Sequence, residues 1–270
     1  MIKLKGIHKR FNADTVNEVY ALRDVSLEIR EGEFITVIGT NGSGKSTLLN
    51  MVAGTILPDS GSIMIAGKDV TKKKDFERAR SISRVFQNPF MGTAPDMTIA
   101  ENLLLAYLRG ERHYPKIGLN GERLAFFKER VTELEMQLEE RLDTVIGTLS
   151  GGQRQAVSLL MAVIREPKVI LLDEHTAALD PKSAAQIIKL TKSFIERGHL
   201  TAFMVTHSMQ QALDMGQRTI MMHQGRIIDE ISLKEKGRLR VDDLLDKFAE
   251  LRKAEKLTDE MIEQLRREYL

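Results

Sequence analysis

The sequence lacks cysteine, a clear excess of one charge and a long apolar run. Without cysteine, the chain can form neither a disulfide framework nor a cysteine-ligated metal site. Its 40 Lys and Arg residues nearly balance its 38 Asp and Glu residues. The composition therefore demands neither nucleic acid nor an anionic membrane as a partner.

The apolar residues are too dispersed for a membrane span. The longest apolar run, Ala156 to Ile164, is too short to cross a bilayer and contains Ser158. Residues 1–5 contain no apolar h-region, so no signal peptide is expected. If the protein acts at a membrane, another chain is expected to span it. The 270 residues, 42% of them hydrophobic, suffice for one large α/β domain or two small ones.

The clearest motif is the glycine-rich segment Gly39-Thr40-Asn41-Gly42-Ser43-Gly44-Lys45-Ser46-Thr47, which fits G-x-x-x-x-G-K-[ST] in full. The β-branched run 34–38 before it predicts a buried strand, and the run 46–53 after it predicts the start of a helix. The alternative is a glycine-rich turn with a chance lysine. The strand, loop and helix order is the context that the motif needs, so it argues against that alternative.

This segment has the chemistry of a phosphate-binding loop. Its glycines let consecutive backbone N–H groups turn inward toward phosphate oxygens, and the helix N-terminus adds a partial positive charge. Lys45 can reach the β- and γ-phosphates, and the Ser46 hydroxyl can bind Mg²⁺. We therefore predict a nucleotide-phosphate site here.

Two later apolar runs end in polar residues. The run 169–172 predicts a buried strand that ends in Asp173 and Glu174. At such a position Asp173 can hold a metal through water, and Glu174 can polarise a water. The run 203–206 predicts another buried strand, which ends in His207.

A second glycine pair opens a helix in the second half of the chain. The segment Leu149-Ser150-Gly151-Gly152-Gln153 precedes an apolar helical pattern. Two glycines after a serine at a helix start predict a second N-terminal anion site.

The remaining periodicity predicts the other elements. Residues 2–8 alternate in polarity, which predicts an edge strand, and the residues 219–229 predict a closing hairpin. The segments 97–109 and 122–142 each follow a helical rhythm. The middle of the chain is therefore expected to be an inserted helical subdomain.

Taken in order, these motifs resemble one family, the ATP-binding-cassette ATPases. The resemblance covers about residues 1–230 and is carried by the P-loop 39–47, Gln87, the signature 149–153, Asp173-Glu174, Asp180 and His207. A P-loop alone is moderately specific, whereas the P-loop with this signature, in this order and spacing, is very specific.

The resemblance implies an α/β fold. It is a P-loop NTPase core, in which helices flank a parallel sheet, with an N-terminal antiparallel β subdomain and an inserted helical subdomain. The implied domains are a nucleotide-binding domain over 1–238 and a C-terminal helical extension over 239–270. Within the first, the RecA-like core would cover 1–87 and 165–238, and the helical subdomain 88–164.

The resemblance also implies ATP and Mg²⁺ as cofactors. Two copies would pair head-to-tail, with each nucleotide between one P-loop and the partner's signature. The residues implied to contact nucleotide are Phe11, Gly39, Asn41, Gly42, Ser43, Gly44, Lys45, Ser46, Thr47, Ser150, Gly151, Gly152, Gln153 and Asp180.

The implied roles of individual residues are specific. Ser46, Gln87 and Asp173 would hold Mg²⁺. Glu174 would act as the base, and His207 would stabilise the γ-phosphate, which Lys45 also binds. Phe11 would stack on adenine, Ser150 and Gly152 would contact the γ-phosphate bound by the other copy, and Asp180 would couple the two sites.

The sequence departs from the family pattern near the proposed base. Position 175 is His where the family commonly has Pro, and Ala177 replaces a common Ser. A lone histidine carries no specific signal, so we interpret His175 as a packing or loop residue rather than a catalyst.

The resemblance further implies a bacterial importer ATPase, peripheral on the cytoplasmic face of the cell membrane. Its partners would be a separate integral-membrane permease and an extracytoplasmic substrate-binding protein, with an amino-acid-type solute as the suggested cargo and no nucleic acid. The alternative is a soluble ABC-type switch that acts on nucleic acid or assemblies without a permease.

Two sets of apolar residues each allow two interpretations. Phe90 and Met91 either contact the permease or pack into the helical subdomain's own core. The apolar faces predicted over 241–251 and 257–269 either pack on the cassette, which we favour, or form a dimer or permease contact.

Overall fold

The computed structural model describes residues 1–110 and 118–254, and for 250–254 it describes the backbone alone. The strands are β1 (Ile2–Phe11), β2 (Val19–Ile29), β3 (Phe34–Gly39), β4 (Ser60–Ile65), β5 (Lys68–Asp69), β6 (Ile82–Val85), β7 (Val169–Asp173), β8 (Thr201–Val205), β9 (Arg218–His223) and β10 (Arg226–Ser232). The helices are α1 (Lys45–Ala53), α2 (Asp75–Arg78), α3 (Ile99–Tyr107), α4 (Gly121–Thr132), α5 (Gly151–Val163), α6 (Pro181–Arg197), α7 (Met209–Asp214), α8 (Leu233–Lys236) and α9 (Val241–Ala254).

The chain forms two compact units. Among the described residues, the first unit contains 1–73 and 201–254, and the second contains 74–110 and 118–200. Antiparallel and parallel strands are both present, together with helices, which confirms the predicted α/β fold class. In the part of the chain that the structure describes, no helix is both long and apolar enough to cross a membrane.

An antiparallel sheet opens the first unit, in the order β2-β1-β4-β5. β1 pairs with a strand on each side, since Ile2 lies opposite both Ile29 and Ile65. The prediction that residues 2–8 form an edge strand is therefore wrong. Alternating polarity reports that one face of a strand meets solvent, and it carries no information about the number of neighbouring strands.

The first unit also contains the strand that leads into the P-loop. β3 lies between β8 and β9 and runs parallel to both. All six residues of β3 are buried, as expected for a parallel strand covered on both faces. β9 and β10 form the predicted hairpin, in which Gln224 and Gly225 have φ values of 43° and 78°. Two positive φ values suit a two-residue type I′ turn.

The helix α9 closes the core of the first unit. Its Leu244 and Phe248 are buried against Ile38 of β3 and Met221 of β9. Burying such side chains stabilises the fold by about 1.5–3 kcal/mol each. This supports the packing interpretation of the face predicted over 241–251. The second helix, predicted over 257–269, lies outside the described residues, and the domain boundaries stay predictions.

The second unit contains the parallel pair β6 and β7, in which Val85 lies opposite Leu172. The helix predicted over 97–109 forms as α3, capped by the Thr98 side chain on the backbone N–H of Glu101. α5 is almost wholly buried after its first turn.

The helix predicted over 122–142 is too long. α4 ends at Thr132, and Glu135 and Gln137 have positive φ values of 56° and 55°, which a right-handed helix excludes. Leu134 and Leu138 are nevertheless fully buried. The helical spacing of these leucines therefore reports their burial and not a continuing helix.

Candidate nucleotide site

The predicted site residues divide between the two units. Phe11, the P-loop 39–47 and His207 lie in the first unit, and Gln87, the signature 149–153, Asp173, Glu174 and Asp180 lie in the second.

The P-loop has a shape that only glycine permits at two positions. A Cβ on Gly39 would lie 2.1 Å from the backbone oxygen of Met222. Gly44 has φ +98°, and a Cβ there would lie 2.5 Å from the backbone oxygen of Ala21. Both distances are far below van der Waals contact, so these glycines are required by close backbone approach.

The ammonium group of Lys45 lies inside the loop. Its Nζ donates to the backbone oxygens of Gly39 at 2.6 Å and Thr40 at 3.0 Å, and the residue is only 5% exposed. A desolvated cation interacts strongly with an anion. The loop therefore presents one buried positive charge.

The helix that follows is open to an anion at its N-terminus. α1 has no side-chain cap and no acidic residue in its first turn. By contrast, Thr98, Asp180 and Ser208 cap α3, α6 and α7 with side-chain oxygens. Gly44, the N-cap residue of α1, has no side chain that could accept from the first-turn N–H groups, which suits a phosphate.

His207 follows β8 in the first unit. The backbone N–H of the preceding residue, Thr206, donates to the backbone oxygen of Val37 in β3. Because β3 and β8 are parallel, their carboxyl ends share one edge of the sheet, where ligands of open α/β sheets bind. His207 is thus placed on the same edge as the P-loop.

Phe11 is the last residue of β1, and it pairs with Val19. Its ring is half-buried, and the Lys9 ammonium lies 5.6 Å from its centroid. The partly exposed ring is available for stacking.

In the second unit, Asp173 ends β7 with one carboxylate oxygen already engaged. Arg84 Nη2 donates to Asp173 Oδ2 at 2.5 Å, and the two side chains are 16% and 15% exposed. The guanidinium also lies 4.6 Å from the Phe86 ring centroid. Sequence reasoning missed Arg84, since a charged residue in a short strand does not reveal its partner.

Glu174 has an unusual backbone conformation. Its φ is +46°, in the left-handed region that costs a non-glycine residue free energy. Such a conformation persists where neighbouring contacts fix the chain.

The next residue supplies one of these contacts. His175 is 1% exposed, and its Nε2 lies 3.0 Å from the Thr191 hydroxyl of α6. That hydroxyl donates to the backbone oxygen of Ile187, so His175 Nε2 is the donor to Thr191. The packing interpretation of His175 fits this burial. Burial lowers the pKa of His175 from 6.5 to about 4.

This pKa predicts a pH dependence of stability. Between about pH 6.5 and pH 4, His175 is protonated in the unfolded chain but neutral in the folded chain. The contribution of this group is therefore complete above pH 6.5 and is lost as the pH falls toward 4, by about 3 kcal/mol in total. Denaturant unfolding measured between pH 7 and pH 4 should show a shallower pH slope in His175→Gln than in the parent. Identical slopes would contradict the assignment.

Gln87 and Asp180 also have defined surroundings. Gln87 is exposed just after β6, and the backbone oxygen of its neighbour Phe86 accepts a bond from Gln155 Nε2 at 3.1 Å. Asp180 caps α6 through Lys182 and Ser183, and the hydrogen bonds from Ser183 lower the pKa of its carboxyl. Asp180 thus has a structural task besides any coupling role.

The signature segment forms a capping box at the start of α5. Ser150 Oγ accepts from the backbone N–H of Gln153, whose Oε1 accepts from the backbone N–H of Ser150. Ser150 and Gly151 are exposed, whereas Gly152 is buried, and a Cβ on it would lie 2.6 Å from Ser183 Oγ. The exposed residues Ser150 and Gly151 are therefore accessible to a binding partner at this end of α5.

The comparisons with known proteins identify the family. The family model described as "ABC transporter" matches residues 22–177. The tyrosine transport ATP-binding protein of Clostridioides difficile is 40% identical over 248 residues, covering 92% of this chain and 98% of the relative. A probable sulfate/thiosulfate import ATP-binding protein of Chlorella vulgaris is 37% identical over 238 residues, covering 87% and 92%.

Solved structures agree with the sequence relatives. A dimeric ATP-binding cassette in a post-hydrolysis state with ADP and Pi superposes with a TM-score of 0.73 at 31% identity, covering 86% of this chain and 99% of that one. The ADP conformation of another ABC transporter cassette gives a TM-score of 0.76 at 29% identity, covering 93% and 97%. The chain belongs to the ABC transporter ATP-binding family. It is an ATP-binding transporter subunit and an ATPase.

Proposed function

We propose that this subunit hydrolyses ATP to power a bacterial importer through a separate permease. The observation that carries the ATP site is the buried ammonium of Lys45 inside a glycine loop that leads into α1, where Gly44 stands at the N-cap in place of a capping side chain. Import is supported by the relatives, whose names assign them to tyrosine transport and to sulfate/thiosulfate import. The tyrosine relative favours an amino-acid-type solute.

In this proposal the tasks are divided among residues of both units. The P-loop amides and Lys45 bind the phosphates, Phe11 stacks on adenine, and His207 stabilises the γ-phosphate. Glu174 takes the proton of the attacking water, which Gln87 orients. Phosphoryl transfer depends mainly on positioning and electrostatics, so a distributed set of this kind is sufficient.

The residues proposed for Mg²⁺ fit that ion chemically. Ser46, Gln87 and Asp173 offer hydroxyl, amide and carboxylate oxygens, the hard donors that Mg²⁺ prefers, and Mg²⁺ keeps several waters. When bound, Mg²⁺ would neutralise phosphate charge. Arg84 already engages Asp173 Oδ2, so it holds that carboxylate in place.

We further propose that two copies pair head-to-tail when ATP binds. Exposure of Ser150 and Gly151 at the start of α5 supports a contact with a second copy. The dimeric cassette solved with ADP and Pi also supports pairing. An extracytoplasmic binding protein would complete the system, which would place this subunit on the cytoplasmic face of the cell membrane.

The proposed permease contact is the 3₁₀ turn Pro89–Gly92. Phe90 is 46% exposed and Met91 is 70% exposed, so neither is buried in a core. Adjacent exposed apolar side chains favour a partner surface. Only Asn88 separates the turn from Gln87, so a docked permease would act beside the residue proposed to hold Mg²⁺ and to orient the attacking water.

The test of this function is affinity purification of the tagged full chain from membranes. We expect a multi-span permease to co-purify with the parent and its recovery to fall about tenfold or more in Met91→Glu. Basal ATPase and melting temperature should stay unchanged, because Met91 is exposed. Leu233→Glu is the matched control, since Leu233 is 61% exposed in the first unit and should retain the permease. Recovery of the parent without any membrane protein would contradict the proposal.

A further inference from the structure

The guanidinium group of Arg154 organises the turn before the signature. Its Nη2 donates at 2.8 Å to the backbone oxygens of both Gly147 and Leu149, and its Nε donates at 3.2 Å to the backbone oxygen of Ile146. Arg154 is only 6% exposed. Because these carbonyls lie just before Ser150 in the chain, one side chain on α5 fixes the backbone that leads to Ser150.

The same guanidinium lies against the proposed permease contact. Arg154 Cζ is 3.7 Å from the centroid of the Phe90 ring. This distance is well within the range of a cation–π stack, and a planar guanidinium stacks on a ring while its edge donates hydrogen bonds. Phe90 is therefore partly exposed to solvent while its ring stacks on the Arg154 guanidinium.

A second contact joins the same two segments. Gln155, the next residue of α5, donates from Nε2 to the backbone oxygen of Phe86. α5 therefore contacts the chain on both sides of Gln87, at Phe86 and at Phe90. The segment from Phe86 to Phe90 and the start of α5 are linked by two adjacent side chains.

We propose that Arg154 is a positioning residue that couples Phe90 to the signature turn. A shift of the Phe90 ring displaces the guanidinium, and the carbonyls of Ile146, Gly147 and Leu149 must follow, since buried charge-assisted bonds are costly to leave unmade. Docking at Phe90 would thereby reposition Ser150. This last step rests on the proposed permease contact, whereas the coupling itself is a property of the isolated subunit.

The test uses hydrogen exchange in the isolated full chain. The amides of Thr148 and Leu149 bond within this turn, to the backbone oxygens of Val145 and Ile146. Phe90→Leu removes the ring but keeps an apolar side chain, and Arg154→Lys keeps the charge but loses the planar fork. Each variant should raise exchange at these two amides by about tenfold, as expected for a lost stack.

The double variant separates coupling from two independent losses. If Phe90 acts through Arg154, Phe90→Leu with Arg154→Lys should exchange no faster than Arg154→Lys alone. Phe90→Tyr, which retains a ring, should keep the parent rate. Unchanged exchange in Phe90→Leu, or multiplied effects in the double variant, would overturn the inference.

Two controls keep the result interpretable. Exchange at the amides of β7, elsewhere in the second unit, should not change. These amides report a general loss of folding, and a rise there as large as in the turn would count against a specific link between Phe90 and the turn. Met91→Glu should leave exchange in the turn unchanged because Met91 does not carry the stack. If Met91→Glu retains the permease while Phe90→Leu still loosens the turn, the proposed docking site is wrong and the coupling stands.

Discussion

Replacing Glu174 with glutamine is expected to leave ATP binding intact and to lower the rate of hydrolysis by about 100-fold or more. Glutamine preserves the size of the side chain but cannot accept the proton of the attacking water, and general-base catalysis contributes about 10²–10⁴-fold. The phosphate-binding groups of the P-loop lie on other elements and keep their geometry. Steady-state phosphate release and nucleotide titration measure the two effects separately.

The chain offers a matched control for this substitution. Glu166 lies in the same unit and also has a positive φ, 48° against 46° for Glu174, but it is exposed before β7. Glu166→Gln should therefore hydrolyse ATP at the parent rate. A parent rate in Glu174→Gln would show that another group acts as the base. ATP should also trap the Glu174→Gln subunit as a dimer, which size exclusion with and without ATP measures.

The elements around the P-loop could be predicted because their signals are local. The buried strand β3, the loop and the start of α1 follow from one apolar run, the glycines and Lys45. The strand predicted over 169–172 and the hairpin predicted over 219–229 are likewise confirmed, because a buried apolar run determines the strand and two turn residues determine the hairpin. The motif order identified the family, which the comparisons confirm.

The two wrong predictions of secondary structure arise where the pattern of buried side chains does not determine the backbone conformation or the strand pairing. The alternation in β1 shows a solvent-exposed face but not its two strand neighbours. Leu134 and Leu138 keep helical spacing although the chain has left the helix at Thr132. In both cases the pattern records which side chains are buried, and the tertiary structure decides the backbone.

The pairing of charged side chains could not be predicted either. Arg84 and Asp173 are far apart in sequence, as are Arg154 and Phe90, and no local pattern relates them. The roles proposed for Ser150, Glu174 and His207 come from the family resemblance and stay predictions. Their local geometry, in a capping box, a strained turn and a strand end, is what the structure adds.

A second large effect, on ATP binding, is expected in dimers that combine two different variants of the chain. Lys45→Ala removes the cation of the P-loop, and Ser150→Arg places a bulky charge at the signature. In a head-to-tail pair of one chain of each kind, one site combines the intact P-loop with the intact signature, and the other site combines both lesions. If each chain instead used its own signature, every site would contain one lesion.

Head-to-tail pairing is tested most directly by the number of ATP molecules that such mixed dimers occlude. Both chains carry Glu174→Gln so that bound ATP is not consumed, and different tags allow dimers with both chains to be isolated. Dimers of two Lys45→Ala chains or of two Ser150→Arg chains should occlude none. Head-to-tail pairing predicts one occluded ATP per mixed dimer, and mixed dimers that occlude no more ATP than dimers of either single variant would contradict it.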